Sequence, residues 1–585
     1  MVNGGEQVAE VLVRRGVRFL YTLCGGHIAP ILVSAKRRGI RVLDVRDEAS
    51  AAFAADASSR LSGIPGVVAV TAGPGLTNIV TAVKNAQLAQ SPLVILGGAT
   101  GTILKGRGSL QDIDQEALFA PHVKWMAAVS RVRDLAAAVD QAFDEALLGV
   151  PGPVFVECPV DLLYDEKLVR GMYGVGEDAP PPRSLGEKLQ RAYLRWHLGR
   201  LFGGQPTRAQ LAPQPLPTPL ATRSELKQVR AALAKAERPL LVVGSQTVVR
   251  SERVGAVAAA IEKLGLPTYL SGMARGLLGT GSPLQLRHQR KLALKEADLV
   301  ILAGVPSDFR LDYGRQVSRR AQLISFNLSG LDLTKNRKPT LPILADPGLS
   351  LISLSSAAAP GDPARLAPWL AKLRESDAQR DRDIAAKAEQ AAAAGANEFI
   401  DPIFLCRAID RALADDSVVV ADGGDFVATA SYILRPRGPL RWLDPGVFGT
   451  LGVGGGFALG AKAERPEAEV WLLWGDGSAA YSLAEFDTFT RHGLPVIAVV
   501  GNDAGWTQIA REQVDILGDD CGTVLARTDY HRVAEGYGGK GIVIRSHAEV
   551  EPALAEAKRL AREGHAVLIN AWLGKTDFRK GSISM

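Results

Sequence analysis

The chain has 585 residues, 47% hydrophobic and 22% charged, with a formal net charge of +6. That length exceeds one core and implies roughly three domains, and that composition excludes a disordered or fibrous chain. The mild basic excess comes with no helix-turn-helix, zinc-finger or RNA-binding signature, so nucleic acid is not an expected partner. A site for anionic small molecules accounts for the charge equally well.

The first stretch, MVNGGEQVAEVLVRRGVRFLY, reads as an amphipathic helix with charges throughout rather than a signal peptide. Strand-like and helix-like runs then alternate, the pattern of βαβ units and parallel sheets. RVLDV, GVVAVT, LVILGG and GPVFVECPV read as strands of a first block, residues 1–165. Residues 166–221 form an insertion. Its RSLGEKLQRAYLRWHLGRLF carries Leu185, Leu189, Tyr193 and Trp196 at helical spacing among Arg191, Arg195 and Arg200, and APQPLPTPLAT follows, read as extended. We read 185–202 as a helix packed on its own domain; a basic amphipathic helix at a membrane surface is the alternative. PLLVVG, LPTYLS, ADLVILAG and QLISFNL mark a second block, 222–356. Residues 357–399 read as a solvated linker helix, charged and Ala-rich. SVVVADGG, EVWLLWGDG, PVIAVVGND and HAVLINAWL mark a third block, 400–585. The fold class is therefore α/β, with three doubly wound parallel-sheet domains. VVAVTAGPGLTN and VWLLWGDGSAAY share one plan, strand, glycine-rich turn and helix, which points to a duplication of the outer two.

Cys24, Cys158, Cys406 and Cys521 are far apart with no CxxC, so neither a disulfide framework nor a zinc site is indicated. A reducing, cytoplasmic setting is the expectation. No stretch reaches 18 uninterrupted apolar residues, so no membrane span is expected.

The chemistry concentrates in the third block. Asp476 follows the strand EVWLLW between Gly475 and Gly477, and the strand PVIAVV ends in Gly501-Asn502-Asp503-Ala504-Gly505. A right-handed crossover makes these strands parallel and, if adjacent, brings Asp476 and Asn502 to one sheet edge, where open α/β sheets bind ligands. Two hard oxygens and a nearby phosphate suit Mg²⁺. The glycines admit a phosphate, and the amides of the helix start, including that of Ser478, favour it.

The unit GDG followed by Asn502, 26 residues after Asp476, resembles the thiamine-diphosphate-binding motif of thiamine-dependent decarboxylases, lyases and acetolactate synthases. The resemblance implies pyrimidine-binding, central Rossmann-like and diphosphate-binding domains in that order, with Mg²⁺ on Asp476, Asn502 and the carbonyl of Ala504. The family usually has two adjacent asparagines; this chain has Gly501-Asn502. Gly505 and Trp506 extend the motif. Asp422, Gly423, Gly424 and Asp425 lie where the family's diphosphate loop runs, and in GTLGVGGGFALGA, Gly449 and Leu451 match the turn and the apolar wedge that bends the cofactor.

Alone, Glu48 at the junction of RVLDV and EASAAFAADASSRLSG would be a first-turn carboxylate favoured by the helix dipole, worth about 0.3–1 kcal/mol. Beside the GDG…N unit, RDEASAAFAADA looks like the family's motif for the Glu that faces pyrimidine N1′ and activates the cofactor. TAGPGLTN, with Gly73 and Asn78, looks like its turn beside the pyrimidine. In related enzymes that Glu and the metal site meet across a dimer interface, so a homodimer or homotetramer is implied.

CGGHIAPIL resembles benzaldehyde lyase around its active-site histidine, pointing to His27, and SLQDIDQEALFAPHVKW resembles the segment holding that family's active-site Gln, pointing to Gln111. A histidine there could move the hydroxyl proton. SGMARGLLG and ADLVILAGVPSDF look like the central domain of acetolactate synthases and acyl-CoA lyases such as oxalyl-CoA decarboxylase. That domain holds FAD in some members and ADP or CoA in others. No GxGxxG appears there, so nucleotide binding and a purely structural role both stand.

Over nearly the whole chain the match is to the acetolactate-synthase-like branch of the 2-hydroxyacyl-CoA lyases, in RGPLRWLDPGVFGTLGVG, GNDAGWTQIAREQ and KTDFRKGSISM. It implies cleavage of a 2-hydroxyacyl-CoA to formyl-CoA and an aldehyde, reversible as an acyloin condensation, with residues beyond Thr576 closing over the thioester. The alternatives are 2-oxoacid carboligation, acyloin cleavage of the benzaldehyde lyase kind, and a non-catalytic paralogue.

Overall fold

The computed structural model describes residues 3–204, 216–356, 363–393 and 399–580. The chain packs as two compact units, Met1–Ser59 with Ile64–Leu216, and Pro217–Met585 with Arg60–Gly63. The first holds one six-stranded sheet and the second holds two.

In the first unit the strands lie in the order Arg41–Asp44, Phe19–Thr22, Gly66–Val70, Leu93–Ala99, Pro153–Pro159, Trp125–Ala128, all parallel. Gly66–Val70, Leu93–Ala99 and Pro153–Pro159 are buried at every residue, the result of helices covering both faces of a parallel sheet. Chain order reverses between Phe19–Thr22 and Gly66–Val70, so the loops beyond their carboxyl ends part there and leave a crevice.

The C-terminal sheet runs Trp442–Leu443, Val418–Ala421, Val470–Gly475, Ile497–Asn502, Val567–Trp572, Lys540–Ile544. Taken by rank along the chain, this is the same order as in the first unit. VVAVTAGPGLTN and VWLLWGDGSAAY each cover the third strand of their sheet and the turn after it. The central sheet has another order, Leu341–Leu344, Gln322–Asn327, Leu299–Ala303, Pro239–Val243, Thr268–Leu270, Gln285–Leu286.

Several elements differ from expectation. The opening helix stops at Arg14, and the RFLY expected to continue it enters the strand Phe19–Thr22. The helix Pro363–Ala393 is not simply solvated: Trp369 and Leu373 pack in the central core, and Ile384 and Ala388 in the C-terminal one. In the insertion the helix Leu185–Phe202 forms, but the stripe expected to pack does not. Leu185, Leu189, Tyr193 and Trp196 are 74, 64, 49 and 57% exposed, while Leu198 and Leu201 near the helix end join the N-terminal core. Of the Pro-rich run after it, residues 212–215 lie outside the described residues. Among the described residues no helix is long and apolar enough to cross a membrane.

Candidate active site

Strands Val470–Gly475 and Ile497–Asn502 pair in parallel with Gly475 opposite Gly501. Asp476 and Asn502 are therefore next in register at one sheet edge. Asp476 is 2% exposed and opens the helix Asp476–Ser482. Its Oδ1 accepts the Gly477 N–H at 2.8 Å and its Oδ2 the Gly505 N–H at 3.0 Å. Burial pushes its carboxyl above the ordinary range, against the pull of the N–H groups of Gly477, Gly505 and Ala504. The next carboxyl, Asp503, is raised to about 7 by burial and by the charge of Asp476. A buried carboxyl and a half-buried one, both pushed upward side by side, mark a place where a cation would be stabilising.

Asn502 is fully buried, and its Oδ1 has no hydrogen-bond partner among the described residues. A buried amide oxygen without a donor is costly unless something absent from the protein alone satisfies it. This hard oxygen beside Asp476 fits Mg²⁺. Ala504 holds a left-handed backbone, φ +56°, and its carbonyl accepts the Leu525 N–H at 3.0 Å. One lone pair of the expected third ligand is thus already engaged. A Cβ on Gly477 would lie 2.5 Å from the Trp506 ring, so the indole packs against this turn and only glycine fits.

The expected diphosphate loop abuts the same turn. The Gly475 N–H donates to the Gly423 carbonyl at 3.0 Å. Ser478 Oγ lies 2.9 Å from the Gly423 carbonyl and 3.1 Å from that of Gly475. Gly424, at φ +111°, lets the chain turn into the helix Asp425–Ile433. Asp422 faces inward: its carboxylate accepts from the backbone N–H of Gly452 and Gly454 and from the Trp474 indole. Burial raises it to about 7. Its oxygens are taken by the protein, so it ties down the turn carrying Leu451 rather than offering a ligand. Leu451 lies on Gly423, where a Cβ would meet its methyl at 2.1 Å. Gly449, at φ +65°, turns the chain before it. Asp425 Oδ2 is bound by Arg511 at 2.7 Å, and its buried Oδ1 has no partner among the described residues. Arg511 also reaches the Thr576 carbonyl at 3.2 Å, and Phe578 packs edge-on against Tyr432. The start of the tail is thus held to this domain; residues 581–585 lie outside the described residues.

In the first unit the other expected residues gather at the carboxyl edge of its sheet. Glu48, 7% exposed, opens the helix Glu48–Ser62, and its Oε2 accepts from Asn78 Nδ2 at 3.0 Å. His27 Nδ1 meets Thr71 Oγ1 at 3.0 Å, which leaves Nε2 as the nitrogen open to a ligand. Burial lowers the His27 pKa below its ordinary value, so the ring is neutral near pH 7. Gln111 has φ +64° and sits against Gly73, where a Cβ would lie 2.7 Å from the Gln111 carbonyl oxygen. Gly73 itself has φ +59°, a turn that glycine alone takes without strain.

Sequence reasoning passed over the groups that brace these residues. Gln115 accepts the Gly73 N–H at 3.3 Å and donates to Glu157 at 2.8 Å. Glu157 is 1% exposed and paired with Lys105. In the second unit Tyr530 donates to the Asp476 carbonyl at 3.0 Å, and Asn570 accepts from Asn502 at 3.2 Å. Glu157 and Asn570 each left one trace, a polar residue inside an otherwise apolar strand.

With this geometry in view, comparison with known proteins is informative. Residues 2–118 match the family model "Thiamine pyrophosphate enzyme, N-terminal TPP binding domain", 226–354 the central domain and 422–571 the C-terminal TPP binding domain of the same enzymes. The whole chain is 50% identical, over 595 residues, to 93% of a Danio rerio protein named 2-hydroxyacyl-CoA lyase 2. It is 48% identical, again over its whole length, to 92% of the Homo sapiens protein of that name. Over 95% of the chain it is 31% identical to 93% of a probable acetolactate synthase of Mycobacterium bovis.

Proposed function

This chain belongs to the thiamine pyrophosphate enzymes, and from that premise we propose that it is a thiamine-diphosphate- and Mg²⁺-dependent carbon–carbon lyase. Its substrate would be a 2-hydroxyacyl-CoA, cleaved to formyl-CoA and an aldehyde, with the reverse condensation open to the same site. The substrate rests on the 48–50% identity, over the full chain, to proteins named 2-hydroxyacyl-CoA lyase 2. The metal rests on Asn502 Oδ1, which is buried beside Asp476 and has no partner among the described residues. Relatives named acetolactate synthase, at 31% identity, keep 2-oxoacid carboligation as the second reading.

When bound, thiamine diphosphate supplies a carbon nucleophile and an electron sink. The protein's part is holding and proton handling. Asp476 and Asn502, with the second lone pair of the Ala504 carbonyl, would hold Mg²⁺. The backbone at Gly423, Gly424 and Ser478 would take the diphosphate. Glu48, steadied by Asn78, would hold a proton at the cofactor's pyrimidine nitrogen. His27, its Nδ1 engaged by Thr71, would take the substrate hydroxyl proton on Nε2 and return it. The Gln111 amide would donate to the substrate oxygen. In the same reading the working enzyme is a homodimer or homotetramer, with Glu48 of one copy serving the metal site of another.

A nucleotide in the central domain also belongs to this reading. A cavity of about 410 Å³ is edged by Ser271, Arg275, Arg287 and Arg290 of the central block and by Arg435 of the C-terminal one. Burial lowers the pKa of Arg275, Arg287 and Arg290; Asp444 offsets this in part for Arg275, and Asp381 and Asp410 for Arg287, while neighbouring arginines lower each further. Phosphates of ADP or of CoA would relieve that crowding, as would those of FAD.

The test offers purified protein, with thiamine diphosphate and Mg²⁺, a 2-hydroxyacyl-CoA, pyruvate and benzoin in turn. Aldehyde and formyl-CoA from the thioester alone are expected. Consumption of pyruvate without thioester cleavage would overturn the substrate. Deleting residues 576–585 should abolish turnover and spare cofactor binding, if the tail closes over the thioester.

A further inference from the structure

We propose that Asn570 is a positioning residue for Asn502, setting which end of its amide faces the metal. The proposal rests on the metal reading above. An asparagine amide presents an oxygen at one end and an NH₂ at the other, and only the oxygen binds Mg²⁺. The two ends are nearly the same size, so packing alone does not choose between them. Hydrogen bonds must.

Asn502 ends its strand, and Asn570 lies on the neighbouring parallel strand Val567–Trp572, opposite Val500. Side chains alternate faces along a strand, so Asn570 shares a face with Val500 and Asn502, one step back from the edge. Both asparagines are 0% exposed. The backbone carbonyl of Thr528 reaches both. It accepts from Asn570 Nδ2 at 2.9 Å and from Asn502 Nδ2 at 3.2 Å.

A carbonyl oxygen only accepts. It therefore draws the NH₂ end of Asn570 and leaves Asn570 Oδ1 facing Asn502, where it accepts from Asn502 Nδ2 at 3.2 Å. The Asn502 NH₂ meets two acceptors, and its Oδ1 is turned away from both, without a partner among the described residues. A half-turn of Asn502 would set its oxygen against two acceptors, and would offer NH₂ to the cation. The reference for the whole arrangement is a backbone carbonyl, which cannot itself be turned over.

The residue before Asn502 cannot share this task. A Cβ at Gly501 would lie 2.4 Å from the Phe426 ring, so no side chain fits there. The support comes instead from the next strand.

The test is Mn²⁺ binding followed by EPR, with thiamine diphosphate present, beside the melting temperature of the cofactor-free protein. Replacing Asn570 by Leu or by Ala removes the acceptor facing Asn502; either variant that folds should bind Mn²⁺ roughly 10–100-fold more weakly. N570D, its carboxyl kept protonated by full burial, still donates to the Thr528 carbonyl and accepts from the Asn502 NH₂, and should retain most of the affinity. A folded N570L or N570A with wild-type Mn²⁺ affinity, whatever its melting temperature, would overturn the proposal. So would N570D binding as weakly as N570L and N570A. D476N is the separate control: if it binds Mn²⁺ as the wild type does, the metal reading fails, whatever Asn570 does.

Discussion

Arg511 and Asp425 come from segments 86 residues apart and meet at 2.7 Å with side chains 13 and 5% exposed. Replacing Arg511 by Leu removes the cation and leaves a carboxylate enclosed at the head of the helix Asp425–Ile433. Breaking a buried pair from one side costs about 3–5 kcal/mol where the remaining charge loses its compensation; Arg579, whose charge also acts on Asp425, places this case at the lower end. For a domain of 150–250 residues each kcal/mol is worth about 2–4 °C, so R511L should lower the melting temperature of the C-terminal domain by on the order of 10 °C. D425N in the same chain neutralises the stranded charge and should recover much of that loss, which a double-mutant cycle reads directly. Arg511 also holds the Thr576 carbonyl, so turnover by R511L should fall further than its thiamine diphosphate affinity. Differential scanning calorimetry on the four members of the cycle is the assay. A shift under 2 °C in R511L, or no recovery in the double variant, would refute the argument that this pair is buried and coupled.

Glu48→Ala should cut turnover roughly 10²–10⁴-fold, the usual worth of a placed proton-handling group, while Mn²⁺ affinity at Asp476 and Asn502 stays unchanged; steady-state kinetics beside EPR titration separates the two. Because burial lowers the His27 pKa, the neutral ring should persist below pH 6.5, so the acid limb of kcat/KM lies under that value and disappears in H27N. Asp422 is raised to about 7 by burial, against about 3.9 for an unfolded chain. The folded state thus keeps a proton that the unfolded state has released. That contribution is full below about pH 4 and is lost as pH rises through 7, so the cofactor-free wild type should lose melting temperature over this window relative to D422N.

How much was legible can be judged strand by strand. Twelve strands announced themselves as apolar runs closed by Gly, Asp or Pro, and these form the buried middle of each sheet and one edge. Among the described residues, five of the six that did not are outermost strands, including Gln285–Leu286 and Trp442–Leu443, two residues each. So short an edge has no period to detect, and it exists because a neighbour offers it hydrogen bonds. The sixth, Phe19–Thr22, was hidden behind the helix that precedes it. The helix Leu185–Phe202 carries the complementary lesson. Periodicity showed that a stripe exists, and only packing decided that Leu198 and Leu201, not Leu185 or Trp196, would be covered.

The sequence by itself determined the three αβ blocks, the Asp476–Asn502 unit and the Glu48 junction, because each depends on local spacing: strand, turn and helix within a few dozen residues. Tertiary structure alone decided what orients those groups. Asn570 beside Asn502, Asn78 on Glu48, Thr71 on His27 and Arg511 on Asp425 are separated in the chain by 30 to 86 residues. A hydrogen bond acts over about 3 Å, and no local pattern records which distant donor the folded chain will bring within that reach.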